Sequence, residues 1–312
     1  MDEIVTPYNF LRYFYSKEKI ENFKNKFSGK TIFVIYSPYF FNFFHFLNEK
    51  YLLNEKDEIN LNTKNDKKEN KKKVKEKKLK LNINKKPKLI CIENINKIYS
   101  INDEFFLASH KLGSAATLEI LEILAFYGFK NIIQIGLAGT FSDEIEIGDI
   151  FISKGACSES ITPYIYTKKK LNFDGINELF FLENNNDNLF YSDENLTIFF
   201  YNEILQNLSN LKSYKIEIFE GFHFSTDFIF KETKSKLQNL LKNNIEVVEM
   251  EGATFFGFCE SKKIKSTAIY IISDKIDLNK NLWFQGWKDK KIENSFLFLF
   301  ETILKIINKN IL

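Results

Sequence analysis

The segment from Val247 to Lys275 constrains the fold of this chain more than any other part of the sequence. Two β-branched residues open it, residues 252–261 carry apolar side chains on more than one helical face, and residues 266–272 form a nearly continuous apolar run. A helix that is apolar on several faces is usually buried, and such a run is typical of a parallel strand covered on both sides. The segment therefore predicts a strand, a helix and a second parallel strand.

Carboxylates follow both of these predicted strands. Glu251 comes directly after the first strand, and Ser273 and Asp274 end the second. In open α/β sheets, ligands bind beyond the carboxyl ends of the strands. Glu251 and Asp274 are therefore predicted to lie where a small polar ligand would bind.

Strand and helix patterns alternate along the rest of the chain. Strands are predicted at 31–36, 89–93, 105–109, 131–137, 148–156 and 214–220, and helices at 40–51, 113–127, 195–211, 233–241 and 293–311. This alternation predicts an α/β protein, a three-layer α/β/α sandwich. There is no internal repeat and no linker rich in Pro and Gly, so residues 1–312 are predicted to form a single domain.

The basic charge of the chain is concentrated in one segment. Residues 54–88 contain 14 Lys against six Asp or Glu, a local excess of +8, which leaves −5 for the remainder of a chain whose net charge is +3. The segment has few core-forming residues and no clear period, which predicts a disordered insertion. A basic arm could contact nucleic acid or anionic lipid, but a solvated loop is favoured. Residues 168–193, rich in Asn and acidic residues, are predicted to be a second surface excursion.

Composition disfavours several classes of protein. No run of 18 apolar residues is present, which argues against a membrane span, and the first fifteen residues lack the basic region of an ordinary signal peptide. Cys91, Cys157 and Cys259 are far apart in apolar segments, which predicts reduced core thiols in a cytoplasmic protein. The three Cys and three His show no metal-ligand spacing, so no metal is predicted.

Four sequence blocks follow one another in a characteristic order. They are Gly136–Thr140 with Ile147–Ile150, Gly155–Ser160, Gly221–Asp227, and Glu249–Glu251 with Ser273-Asp274. Together they resemble the nucleoside phosphorylase superfamily, which includes purine nucleoside phosphorylases, uridine phosphorylases and several nucleosidases. The resemblance covers roughly residues 105–291. It implies a phosphorylase/hydrolase-like fold with a mixed central sheet, and a homo-oligomer.

The resemblance also implies roles for individual residues. Glu251 is implied to accept hydrogen bonds from the ribose hydroxyls, with Met250 packed on the sugar. Asp274 is implied to be the catalytic acid that protonates a purine ring nitrogen. Phe224 and Ser225 are implied to bind the base, although a core position for Phe224 is the alternative in a chain with 34 Phe.

Cleavage of an N-glycosidic bond explains why two carboxyls are needed. The sugar develops positive charge and the base must leave without full negative charge, so one ionised and one protonated carboxyl serve the reaction. Burial and neighbouring charges can separate the two pKa values in this way. The structural alternatives are a helix N-terminal acid for Glu251 and an N-cap for Asp274.

In the part of the predicted site that would bind the nucleophile, the sequence differs from the family pattern. Ser109, Gln134 and Gly136 are the candidates there, but Gln134 stands where phosphorylases have an Arg and Leu137 where they have a small hydroxyl residue. The only arginine, Arg12, lies outside these motifs. Lys cannot reproduce the bidentate fork of Arg, and the aligned residues are not Lys either.

A last segment, Trp283 to Trp287, resembles a branch of the superfamily that has a W-x-x-G-F segment after its S-D and that also lacks the upstream Arg. The basic residue that assists the aspartate in purine enzymes has no clear match here. Lys275 or Lys288 is the predicted substitute, and His223 is predicted to be a loop histidine rather than a catalyst.

The sequence thus predicts an enzyme that cleaves a small-molecule nucleoside, with a purine-type base favoured, as in purine salvage. The nominal reaction is phosphorolysis to free base and pentose 1-phosphate, with inorganic phosphate as co-substrate and no other cofactor. No membrane or nucleic-acid partner is expected. Two alternatives stay open: a hydrolytic nucleosidase and a nucleoside-binding homologue without catalysis.

Overall fold

The computed structural model describes residues 6–36, 88–91, 98–101, 103–167, 169, 188–209 and 215–309. The predicted helix at 40–51 lies outside these residues. So does the predicted Lys-rich insertion at 54–88, apart from Lys88, which begins a strand.

Eleven strands and seven helices occur in the described residues. The strands are β1 Thr31–Tyr36, β2 Lys88–Cys91, β3 Ile98–Ser100, β4 Phe105–His110, β5 Asn131–Thr140, β6 Ile150–Ser158, β7 Leu189–Tyr191, β8 Ile218–Ser225, β9 Ile245–Glu249, β10 Lys265–Asp277 and β11 Leu282–Gln285. The helices are α1 Pro7–Phe14, α2 Lys17–Phe27, α3 Ser114–Tyr127, α4 Glu194–Ser209, α5 Lys234–Lys242, α6 Gly252–Lys262 and α7 Lys290–Lys309.

The strands form one mixed sheet in the order β11-β10-β6-β8-β9-β5-β1-β4-β3-β2, with β7 paired to β6. Strand β5 also pairs with β10 in parallel. Strands β5, β10, β6, β8 and β9 therefore close a ring, because β9 pairs back onto β5 through Val248 with Gly139 and Val247 with Thr140. The predicted mixed central sheet is confirmed.

Helices cover both faces of the sheet. On one face, Phe27 of α2, Leu124 of α3 and Phe255 of α6 lie in one apolar cluster with the sheet. On the other face, Phe200 of α4 and Leu304 of α7 lie in a second cluster. The predicted three-layer α/β/α sandwich is confirmed.

The strand–helix–strand unit that the sequence predicts at 247–275 is present as β9, α6 and β10. Every residue of α6 from Gly252 to Cys259 is buried, as expected for a helix that is apolar on several faces. Residues Ser266–Ser273 of β10 are also buried. Strand β10 continues to Asp277, beyond its apolar run, because its last residues pair with β11.

The strand predicted at 214–220 lies at Ile218–Ser225, so its bounds were wrong and it continues past Gly221 along β6. Most of the predicted surface excursion at 168–193 lies outside the described residues. Its last residues contain β7, whose Phe190 is fully buried, so a surface position was wrong there. In both places, pairing with β6 decides the conformation rather than local composition.

Helices α1 and α2, which the sequence analysis did not predict, have side-chain caps. Thr6 Oγ1 accepts the Asn9 N–H at 3.1 Å, and Ser16 Oγ accepts the Lys19 N–H at 3.2 Å. Such caps satisfy N–H groups that have no partner inside the helix. Within the described part of the chain, no helix is both long enough and apolar enough to cross a membrane.

Candidate active site

Glu251 lies between the end of β9 and the start of α6, and its side chain is buried. It does not cap its own helix. Its Oε1 instead accepts the backbone N–H of Gly113 at 2.6 Å, directly before α3. Gly113 has a φ of 95°, in the left-handed region that favours glycine. This hydrogen bond therefore links Glu251, the residue before α6, to Gly113, the residue before α3.

The surroundings of Glu251 favour its protonated form. Burial, and then the negative charge of Glu249, raise the pKa of Glu251 to about 8, against the opposing effect of the Gly113 N–H. The charge of Asp227 acts in the same direction as that of Glu249. At neutral pH, Glu251 can therefore donate a hydrogen bond as well as accept one.

Glu249, two residues earlier, is buried and occupied by protein contacts. Its Oε2 accepts the N–H groups of Glu251 at 2.7 Å and Gly252 at 2.8 Å. Its Oε1 accepts the Ser225 hydroxyl and lies 3.0 Å from His223 Nε2. Although burial opposes ionisation, His223 and these hydrogen bonds leave the pKa of Glu249 below its ordinary value.

Asp274 lies on β10, just past an irregularity in its pairing with β5. Its Oδ2 accepts the indole N–H of Trp283 at 2.8 Å, and its Oδ1 accepts the Ser273 hydroxyl at 2.6 Å. A Cβ on Gly139 would lie 2.7 Å from Oδ2, so the absence of a side chain there leaves room for the carboxyl. Gly139 pairs with both Asp274 and Val248, so β5 brings the ends of β10 and β9 together.

The loop between β8 and α5 borders both carboxyls. At its start, Asp227 Oδ1 accepts the Ser114 hydroxyl at 2.7 Å, and the Asp227 charge acts on Glu251. At its end, burial and then the charge of Asp274 raise the pKa of Glu232 to about 7. One loop thus carries a charged group close to each of the two carboxyls.

No cation neutralises either carboxyl within the described residues, where the ion pairs of acidic side chains involve other groups. Lys275, the predicted helper of Asp274, lies 2.7 Å from Glu146 Oε1 and donates to the Asp143 carbonyl at 3.2 Å. The structure therefore does not bring Lys275 to Asp274, and Lys288 is exposed. Asp274 has two neutral donors as partners instead.

The predicted base-binding residues are occupied by contacts within the protein. Phe224 is fully buried in an apolar cluster with Phe141 and Leu237. Ser225 Oγ donates to Glu249 and accepts the Ala253 N–H at 2.8 Å. Base stacking by Phe224 stays a prediction.

Met250 is half-buried, and its carbonyl accepts the Ser114 hydroxyl at 3.3 Å. This contact places Met250 beside the start of α3, next to the Gly113 N–H that binds Glu251. The prediction that Met250 packs on a sugar stays open.

The nucleophile-side candidates are spread over two strands. Ser109 is half-buried near the end of β4. Gln134 is buried and lines a small internal cavity with Val34 and Phe255, and its amide atoms have no hydrogen-bond partner among the described residues. Gly136 lies beneath Tyr270, whose ring would be 3.3 Å from an added Cβ.

The arginine fork expected of a phosphate site is missing from this arrangement. Arg12, the only arginine of the chain, lies on α1 and donates from Nη1 to the Tyr15 carbonyl at 3.1 Å. Leu137 presents an apolar side chain, packed on the cluster beneath α4 and α7, where the family places a small hydroxyl.

Sequence reasoning missed four residues around the acidic side chains of the site: Gly113 beside Glu251, His223 beside Glu249, and Glu232 and Trp283 beside Asp274. His223 was predicted to lie in a loop, but it lies in β8 and is fully buried. Its alternation with Phe222 and Phe224 was the available signal for a strand. Trp283 stood in a recognised motif, but nothing local indicated its contact with Asp274.

Comparisons with known proteins identify the family. The family model described as the phosphorylase superfamily matches residues 97–305. The chain belongs to the phosphorylase superfamily. A DeoD-type purine nucleoside phosphorylase of Buchnera aphidicola is 28% identical to it over 207 residues, which are 66% of this chain and 76% of the relative.

Solved structures show that this superfamily member shares its fold with several relatives. A 5'-methylthioadenosine/S-adenosyl homocysteine nucleosidase of Campylobacter jejuni matches with a TM-score of 0.57 and 19% identity, over 90% of this chain and 100% of that one. A purine nucleoside phosphorylase of Toxoplasma gondii, in complex with immucillin-H, matches with a TM-score of 0.57 and 14% identity, over 92% and 94%.

Proposed function

We propose that this protein cleaves the N-glycosidic bond of a nucleoside, with a purine-type base favoured. The observation that carries the proposal is the different surroundings of two carboxyls beside one loop. Glu251 is buried and has a pKa raised to about 8, whereas Asp274 is held by two neutral hydrogen-bond donors. Purine nucleoside phosphorylases and a nucleosidase among the relatives support this class of reaction.

In the proposed mechanism, the carboxyls act on opposite sides of the bond that breaks. Glu251 binds the ribose hydroxyls and orients the sugar; in its protonated form it can donate as well as accept a hydrogen bond, which differs from the ionised carboxyl expected at the sugar from the sequence. Asp274, in its protonated form, donates its proton to a purine ring nitrogen as the base leaves. General acid help of this kind typically accelerates a reaction about 10²–10⁴-fold.

Phosphate is the nominal nucleophile, and water is the second candidate. The specific observation that favours water is the absence of an arginine fork, since Arg12 lies on α1 and Gln134 is enclosed in the interior. Each charge-assisted contact missing from a phosphate site weakens binding by about 1.5–3 kcal/mol. A nucleoside-binding protein without catalysis is the remaining alternative.

A nucleoside panel separates these possibilities. The protein is incubated with purine and pyrimidine nucleosides, with and without inorganic phosphate, and the free base, free pentose and pentose 1-phosphate are measured. Phosphate-dependent formation of pentose 1-phosphate would support phosphorolysis, and equal base release without phosphate would show hydrolysis. Binding detected by calorimetry without any base release would contradict an enzymatic function.

The role of Asp274 is tested by Asp274→Asn. We expect purine cleavage to slow about 10²–10⁴-fold while nucleoside binding changes little. Asp277→Asn on the same strand is the matched control, because Asp277 is half-buried like Asp274 but pairs with Lys280. Unchanged turnover in Asp274→Asn would remove Asp274 from the mechanism.

A further inference from the structure

A buried pair of ionisable side chains lies directly behind Glu251. His223 is fully buried in β8 and Glu249 is buried at the end of β9, with 3.0 Å between His223 Nε2 and Glu249 Oε1. Neither side chain faces solvent, and the proposed reaction does not use either of them. Exchanging a buried ion pair for apolar residues is often neutral or stabilising, so stability alone does not account for this pair.

Both ring nitrogens of His223 have polar neighbours. Nδ1 lies 2.9 Å from Ser153 Oγ on β6, and Nε2 lies 3.0 Å from Glu249 Oε1. Glu249 also accepts the Ser225 hydroxyl and two backbone N–H groups, and such hydrogen bonds favour a carboxylate. The imidazole is therefore held between β6 and the carboxylate at the end of β9.

The carboxylate of this pair replaces the usual cap of α6. The first N–H groups of a helix have no partner inside it. Glu249 accepts those of Glu251 and Gly252, and Ser225, itself bound to Glu249, accepts that of Ala253. Glu251 occupies the N-cap position without using its side chain as a cap. Its carboxyl is therefore free to reach Gly113 and a ligand.

Close packing around Gly252 also fixes the start of α6. A Cβ on Gly252 would lie 2.3 Å from His223 Nε2 and 2.7 Å from the Tyr270 hydroxyl. Only a glycine therefore lets the first residue of α6 rest on the imidazole. The Tyr270 hydroxyl also donates to Glu249 at 3.3 Å, so β8, β9, β10 and α6 meet at this point.

We propose that His223 and Glu249 are positioning residues that together fix the start of α6 and the direction of the Glu251 carboxyl. The inference rests on the proposed function only in assigning Glu251 to the sugar. The polar groups facing the pair are Ser153 from β6, Ser225 from β8, Tyr270 from β10, and Glu251, with Asp227 acting on Glu251 from the loop after β8.

A direct test follows the titration of Glu251 itself. The protein is labelled with glutamate carrying ¹³C at the carboxyl, and Glu251→Gln identifies the Glu251 signal. In Glu249→Gln, the loss of the neighbouring negative charge is expected to lower the Glu251 midpoint by about one pH unit or more from its position near 8. Glu220→Gln on β8 is the matched control, because Glu220 is exposed and pairs with Lys154. An unchanged midpoint in Glu249→Gln would overturn the inference.

Kinetics with the nucleoside that the wild-type protein cleaves supply a second readout. Glu249→Gln is expected to lower kcat/KM about 10–100-fold and to move its pH profile towards lower pH. His223→Leu is expected to lower kcat/KM similarly, and His223→Gln, which restores a donor to Glu249, to recover at least about threefold of that loss. A lower melting temperature with unchanged pH profile and kcat/KM would show a merely structural role and overturn the proposal.

The two readouts separate this inference from the proposed function. If the wild-type protein cleaves no nucleoside, the proposed function fails, but the carboxyl titration still shows whether Glu249 controls Glu251. If nucleosides are cleaved and the Glu251 midpoint is the same in wild type and Glu249→Gln, the inference alone fails. If Glu249→Gln does not fold, the titration is repeated with His223→Gln. An unchanged Glu251 midpoint in that variant counts equally against the proposal.

Discussion

At the scale of single residues, the two candidate carboxyls differ in the kind of group that holds them. Glu251 is bound by a backbone N–H in a buried position, whereas Asp274 is half-buried and bound by a hydroxyl and an indole. Neutral donors fix the direction of a carboxyl without adding a charge to the site. Asp274 is therefore held in one orientation by groups that carry no charge.

Trp283 therefore makes a specific contribution that can be measured. Trp283→Phe keeps an aromatic ring but removes the N–H that binds Asp274 Oδ2. We expect kcat/KM for a purine nucleoside to fall by up to about tenfold, since a typical hydrogen bond contributes about 0.5–1.5 kcal/mol. Trp287→Phe, at another exposed tryptophan, is the control. Equal kcat/KM values in the two variants would contradict an orienting role for Trp283.

The raised pKa of Glu251 predicts a pH-dependent stability. Between its ordinary pKa of 4.5 and about 8, the folded state keeps a proton that the unfolded state releases. The free energy of unfolding contributed by Glu251 is therefore present below pH 4.5 and is lost as pH rises towards 8, on the order of 1 kcal/mol per pH unit. Glu251→Gln lacks this slope, so its stability relative to wild type should increase from pH 5 to 8 in urea titrations. Parallel curves would disprove the shift.

At the scale of elements, the sequence predicted those parts whose conformation follows from their own pattern. The strand–helix–strand unit at 247–275 is such a part, because its apolar residues determine both type and burial. Strand β8 depends instead on a partner that is distant in sequence, β6. Gly221 and Ser225 resemble turn residues, but β8 continues through both because β6 supplies hydrogen bonds. The sequence therefore predicts Glu251 and Asp274 as candidates, but it does not predict the residues that surround them.

The contact between His223 and Glu249 shows the same limit within the site. The two residues are 26 positions apart, and they meet because Ser225 pairs with Glu249 across parallel strands. No local pattern encodes that register. Both residues can be read from the sequence, but the contact between them depends on the order and register of the strands.

The start of α6 is the element whose packing tolerates the least change. In Gly252→Ala, the new methyl group would meet His223 Nε2 at 2.3 Å, so the helix or the imidazole must move. We expect the free energy of unfolding to fall by about 1–3 kcal/mol, measured by denaturant titration, and Glu251 to be displaced. Gly221→Ala is the matched control, because its Cβ would make only ordinary contacts at 3.6 Å with Phe151. Similar losses in the two variants would argue against tight packing at Gly252.

At the scale of the whole molecule, the distribution of charge predicts that one segment is dispensable for folding. Residues 55–86 lie outside the described residues and carry most of the excess of lysines. A segment with few core-forming residues contributes little apolar burial. We expect deletion of residues 55–86 to leave the melting temperature unchanged within about 2 °C. A much larger decrease would show that the segment belongs to the folded core.

The ring of strands β5, β10, β6, β8 and β9 has a consequence for how such a protein can change over time. In a closed ring, a one-residue slip at any pair must be matched at the others, and it would turn every side chain of the slipped strand to the opposite face. Apart from the pairing irregularities that three of these strand pairs contain, insertions and deletions are therefore expected in the connections between the strands. Side chains at the strand ends, and with them the chemistry of the site, can therefore change while the spacing of the strands stays the same.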